Sequence, residues 1–266
     1  MKKLLILVLF GVLMGFTAKA QELALSIFEN YQEKKLLTKH LHEPFLYMQA
    51  LNFKEQAKHP RWEILLEQLD QKAFQRNGDV QLLSDIFFKT QKYLLVTYAK
   101  HADFSTTLSE GVFDCVTGTA AYALLLERYG IPYQIVETDE HVFIKGAWNG
   151  MPFILESTFP EHGLILHAKE VKAFERKFAT GSALSSKALP SQIGHMERSG
   201  KSSAILEGIG LRELAGLQYY NDAVEKFYEK QYLATYAQLV KAEFLYPSPR
   251  ITEFKGKMEL LLGIGM

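Results

Sequence analysis

The sequence predicts an α+β fold in which a helix carrying the lone cysteine packs on a small antiparallel sheet, with further helices on both sides. Three observations predict it. Apolar residues recur at helical spacing from Glu22 to about Lys100 and again from Leu211 to Leu262. Three strand-like runs rich in Ile, Val, Phe and Tyr lie between them, at Tyr133 to Thr138, His141 to Trp148 and Met151 to Glu156. A helix with a small and apolar face, Asp114 to Tyr129, directly precedes those runs.

The first twenty residues read as a leader. Lys2 and Lys3 precede an apolar run from Leu4 to Phe16, and Ala18-Lys19-Ala20 supplies an A-x-A cleavage signal. The run is 13 residues long, against the roughly 20 needed to cross a bilayer. Cleavage after Ala20 leaves Gln21 as the first mature residue, and no Cys follows the site to carry a lipid anchor. The expectation is a soluble periplasmic or secreted protein with no stable membrane span.

From Glu22 to Lys100 the spacing of Leu23, Leu25, Ile27, Phe28 and Tyr31, then of Phe45, Leu46, Met48 and Leu51, predicts about four packed helices. Pro60 is expected to end one segment, Trp62 to open the next, and Asp79 to cap another. Gly130-Ile131-Pro132 stops the cysteine-bearing helix. Asn149-Gly150 between two apolar runs is a strong signal for a two-residue hairpin turn. Thr180 to Ser203, rich in Ser, Gly and Lys, loses periodicity and reads as a linker or loop. The expected organisation is a leader over 1–20, a helical region over 21–100, the core over 101–179, the linker over 180–203 and a helical hairpin over 204–266.

Loss of the leader removes Lys2, Lys3 and Lys19 from a chain with 30 basic and 30 acidic side chains, so the mature protein is slightly acidic. That balance argues against nucleic acid as a partner. No phosphate loop, dinucleotide fingerprint or nucleophilic serine motif is present, and no cofactor is implied. His40, His42 and His59 fit no helical ligand pair and read as surface residues, so no metal site is expected. With one cysteine in the chain, no intramolecular disulfide forms. An unpaired thiol in an oxidising compartment asks for burial or for chemical use.

Cys115 follows Asp114, a good N-cap, and so occupies the first turn of a helix, where unpaired N–H groups and the dipole favour a thiolate. Asp114, when charged, opposes that. The base must come from elsewhere, and spacing nominates His141, 26 residues on, where the chain has returned as a strand. A two-residue turn at Asn149-Gly150 pairs Trp148 with Met151 and brings Phe143 opposite Glu156. His141 then shares a face with Phe143 and lies diagonal to Glu156, at about 7 Å between Cβ atoms. Glu156 can orient one ring nitrogen of His141 while the other faces Cys115. A slip of one residue would separate them.

The run Cys115-Val116-Thr117-Gly118-Thr119-Ala120-Ala121, then Leu125-Leu126, Gly130-Ile131-Pro132, His141-Val142-Phe143 and Leu155-Glu156-Ser157-Thr158 resembles the core of the transglutaminase-like superfamily, within the papain-like cysteine protease group. The likeness covers about Gly111 to Pro160. It implies Cys115 as nucleophile, His141 as base, Glu156 as orienting acid, and acyl transfer at an amide bond of a peptide or protein substrate through a thioester, with the Val116 N–H as an oxyanion donor. The family usually has Asp at the position of Glu156 and a His-Ala-Trp run where this chain has His141-Val142-Phe143. The first difference leaves Asp139 and Glu140 as lesser alternatives for the acid. Some relatives have lost the triad, so a catalytically silent module that binds a peptide or protein partner is the alternative expectation.

In the tail, Ala223, Tyr232, Leu239, Ala242 and Pro247 stand where a tetratricopeptide helical hairpin places its small, aromatic and turn residues, and the segment resembles one such repeat; Thr235 departs from the pattern. One repeat cannot stack alone. The hairpin is therefore expected to pack on the rest of the chain, with Tyr219, Tyr220, Phe227, Tyr228, Tyr232 and Tyr236 as packing residues, and to be the place where a protein partner would bind.

Overall fold

The computed structural model describes residues 27–54, 59–75, 80–139, 141–179 and 207–264. The leader, the helical expectation over 22–26, the Asp79 cap, Glu140 and the linker over 180–203 lie outside the described residues.

The fold is mixed helix and sheet. Four helices open it: α1 (Tyr31–Lys39), α2 (Pro44–Met48), α3 (Pro60–Gln75) and α4 (Gln81–Tyr93). Asn30 caps α1 by accepting from the Glu33 N–H at 2.8 Å. Pro60 opens α3 instead of ending the segment before it, because proline's fixed φ suits the first helical turn, where its missing N–H has no partner to lose.

Strand β1 (Thr97–Tyr98) pairs in parallel with β2 (Val112–Phe113), and helix α5 (Phe104–Glu110) bridges them. These short elements carry no periodic signal in the sequence. They deliver the chain to α6 (Cys115–Arg128), whose N-cap is Asp114 and whose end is marked by Gly130 at φ +65°. Asp114 and Thr117 form a capping box, each bonding the other's backbone.

A five-stranded antiparallel sheet follows, in the order β6 (Leu164–Ile165), β5 (Met151–Leu155), β4 (Val142–Trp148), β3 (Tyr133–Glu137), β7 (Glu207–Ile209). Asn149 and Gly150 both have positive φ, as the expected hairpin turn requires, and Trp148 pairs with Met151 and Ile144 with Leu155. One face of the sheet, with Ile135, Val142, Ile144, Phe153 and Leu155, joins the main core under α6. The other, with Val136, Phe143 and Ile154, is covered by Val171 and Phe174 of α7 (Ala168–Ala179), the Phe143 and Phe174 rings meeting edge to face at 5.0 Å.

The tail forms α8 (Leu211–Tyr228), α9 (Tyr232–Leu245) and α10 (Pro249–Leu262). It holds three helices, not a two-helix hairpin alone, and it shares the main core with the first helices: Leu214, Leu217, Tyr219 and Leu239 are buried with Leu37, Leu65 and Phe87. Gln218 accepts from the Phe104 N–H at 2.8 Å and donates to the Met48 carbonyl at 3.1 Å, satisfying buried backbone groups of α5 and α2. Glu33 of α1 and Lys241 of α9 form an ion pair at 2.7 Å with both side chains 2% exposed. Tyr219 and Tyr220 are buried as packing residues, whereas Tyr228 stands in solvent. Among the described residues no helix is long and apolar enough to cross a membrane.

Candidate active site

Cys115 opens helix α6, and His141 and Glu156 flank the open end of the β4–β5 hairpin; the three are 0%, 1% and 1% exposed. His141 Nε2 hydrogen-bonds Glu156 Oε2. An ionised carboxylate only accepts, so with Glu156 ionised Nε2 is the donor of this bond. The other carboxylate oxygen accepts from the Thr158 N–H at 2.9 Å and from its hydroxyl at 2.7 Å. Glu156 is thereby held at both oxygens.

The diagonal neighbourhood expected from the hairpin count is the one found. Both residues stand just outside the paired strands, which end at Val142 and Leu155. The pleat no longer dictates their direction there. Around them, Gln91 of α4 donates to the Ser157 carbonyl at 2.7 Å and to the Tyr122 hydroxyl at 3.1 Å, gathering the turn after Glu156 between α4 and α6.

Cys115 reaches the sheet at the residue next to His141. The Val142 N–H hydrogen-bonds the Cys115 sulfur, and Thr119, one helical turn on, donates to the Val142 carbonyl at 3.4 Å. Both polar groups of Val142 are thus joined to α6. The sulfur also lies in the field of Glu156.

Burial pushes the Cys115 thiol well up, and the nearby carboxylates of Asp114 and Glu156 add to this; the N–H groups of Val142 and of Cys115 itself pull the other way. The helix-start position was expected to favour a thiolate. Desolvation outweighs it.

Asp114 is fully buried, and burial raises its carboxyl from 3.8 to about 7 against hydrogen bonds from Thr117, Val116 and Asn221. The Val116 N–H, expected as an oxyanion donor, is directed at this carboxylate. The Cys115 N–H lies beside its own sulfur.

Of the alternatives for the acid, Glu140 lies outside the described residues, and the Asp139 carbonyl accepts from Arg250 at 3.0 Å. Tyr98, which sequence reasoning did not single out, sits at the margin: it is 37% exposed, packs edge to face on Phe113 at 6.0 Å, and its hydroxyl is raised by burial and by the charges of Cys115, Asp114 and Glu156. The remaining histidines are apart from this centre. His40 and His42 both contact Glu43, and His59 packs against Phe45. His42 is exposed, and His40 and His59 are half-buried. Among the described residues no group of three or more His, Cys, Asp or Glu is arranged to hold a metal ion.

Compared with known proteins, the chain matches no family model, no curated protein and no solved structure.

Proposed function

We propose that the chain is an exported cysteine hydrolase or acyltransferase of transglutaminase-like, papain-like type, acting on amide bonds of a peptide or protein. The observation that carries the reading is the buried His141–Glu156 pair beside a helix-start sulfur that accepts the Val142 N–H. A carboxylate held at both oxygens and bonded to one ring nitrogen is the arrangement that keeps an imidazole in a single tautomer for proton transfer.

In the proposed reaction Cys115 attacks the amide carbonyl as its thiol proton passes to His141 Nδ1. The Cys115 N–H stabilises the oxyanion. His141 then gives the proton to the leaving amine as the C–N bond breaks and the thioester remains. Water, deprotonated by His141, attacks the thioester, releasing a carboxylic acid and restoring the thiol; an amine in place of water would give transfer. Because burial keeps the sulfur protonated at rest, the proton moves during attack and not before it.

A second reading, a silent module that keeps this fold to bind a peptide or protein, is favoured by one observation: all three side chains are closed to solvent. A peptide carrying a chloromethyl ketone separates the two. The catalytic reading expects labelling at Cys115 that far outpaces iodoacetamide, with the excess lost in His141→Ala. Equal rates for both reagents, or for both proteins, would favour the binding module.

A further inference from the structure

His141 sits at the end of the turn that joins β3 to β4, one residue before the ladder resumes, so strand pairing alone does not fix its backbone. Thr138 closes this turn: its N–H and hydroxyl donate to the His141 carbonyl at 2.8 and 3.0 Å, and its hydroxyl oxygen accepts from the His141 N–H at 3.0 Å. A second fastening comes from the far end of the chain. Arg250, in the first turn of α10, donates to the Asp139 carbonyl at 3.0 Å and to the Thr138 carbonyl at 3.1 Å, and its guanidinium lies 3.1 Å from Glu137 Oε1. Tyr246, from the end of α9, donates to the other Glu137 oxygen.

One guanidinium therefore grips three successive residues, 137 to 139, on the approach to His141. Arg250 is 7% exposed and Glu137 is fully buried. Turn carbonyls are ordinarily left to water. Placing a buried cation on them costs desolvation that a plain hairpin has no need to incur, and only the planar fork of arginine reaches a carboxylate and two carbonyls at once.

We propose that Arg250 is a positioning residue, setting the turn so that the His141 imidazole is held between Glu156 and the first turn of α6. This rests on the reading of Cys115, His141 and Glu156 as a working triad. It gives the tail a role inside the site instead of at a separate surface.

The test compares the full chain with Arg250→Lys, which keeps the charge but not the fork, and with Glu33→Gln, which loosens a buried tail contact remote from the turn. Two readouts are taken: the His141-dependent excess in chloromethyl ketone labelling of Cys115 across pH, and the downfield proton resonance of His141 Nε2–H bonded to Glu156. Arg250→Lys is expected to lower the excess roughly tenfold and to shift or broaden the resonance, whereas Glu33→Gln leaves both within about twofold of the unaltered chain. An excess and a resonance unchanged in Arg250→Lys overturn the proposal, as does an equal loss in Glu33→Gln. If the unaltered chain shows no excess, the triad reading fails, and the resonance still reports whether Arg250 holds the ring. Should Arg250→Lys not fold, Tyr246→Phe, which frees Glu137 and so slackens the guanidinium, is judged by the same two outcomes.

Discussion

Gly118 lies directly against Ser157, so that a Cβ at position 118 would stand 2.6 Å from the Ser157 Cβ and 2.7 Å from its hydroxyl oxygen, with a Phe113 ring carbon at 3.2 Å. One helical turn separates Gly118 from Cys115, and one residue separates Ser157 from Glu156. The glycine sets how closely the sulfur-bearing helix approaches the acid. Alanine inside an exposed helix gains about 0.5–1 kcal/mol over glycine, but here the crowding is expected to reverse the sign. Gly118→Ala should lose about 1–3 kcal/mol in urea unfolding and most of the Cys115 labelling. A stabilised variant that labels normally would show that the contact is loose.

Asp114 makes stability depend on pH. Its carboxyl rises from 3.8 to about 7 on folding because it is buried, so the folded chain holds this proton more tightly than the unfolded chain does. The stability this contributes is complete below pH 3.8 and is lost as pH climbs through 7, a swing on the order of 4 kcal/mol. Asparagine caps a helix as well as aspartate. Asp114→Asn is therefore expected to flatten the decline in urea midpoint between pH 4 and pH 8 and to move Cys115 alkylation to lower pH, since one of the charges opposing the thiolate is gone. Parallel stability curves for the two proteins would refute the assignment.

Lys241 and Glu33 pair across 208 residues of sequence, and Glu33 also accepts from Tyr219 at 2.9 Å and from the Glu29 N–H at 2.7 Å. Removing the cation alone strands a buried carboxylate. Lys241→Met is expected to cost about 3–5 kcal/mol, and adding Glu33→Gln should recover part of it. A double variant less stable than Lys241→Met, measured by thermal unfolding, would contradict this.

Glu156→Gln offers one acceptor oxygen where three donors now converge. If that oxygen keeps Thr158, the amide NH2 faces His141 Nε2–H and forces the ring to give up its tautomer. The expected loss is about 1–3 kcal/mol of stability, together with the downfield imidazole proton. A retained resonance would mean that another group holds the ring.

Much of the site was legible in the sequence because its geometry is local. Asn149-Gly150 fixes a turn, the turn fixes the register, and the register brings Glu156 to His141. Asp114 and Gly130 bound the helix of Cys115 for equally local reasons. What escaped was long-range. β7 is a three-residue edge strand whose partner, β3, lies some seventy residues earlier, and nothing in Glu207–Ile209 signals that pairing. Arg250 and Gln218 look like ordinary polar residues of amphipathic helices until the acceptors they meet are known. The weight of burial on the Cys115 thiol escaped too, because a helix terminus is visible in sequence and the loss of water around it is not.

The clamp on the β3–β4 turn also sets an order of events. A growing chain releases the cysteine-bearing helix and the β3–β4 turn well before it releases the arginine that grips the turn, about 110 residues later. A nascent chain that has not yet reached Arg250 would therefore carry the sulfur and the imidazole without the grip on residues 137 to 139, and the His141-dependent labelling of Cys115 is expected only once Arg250 has been added.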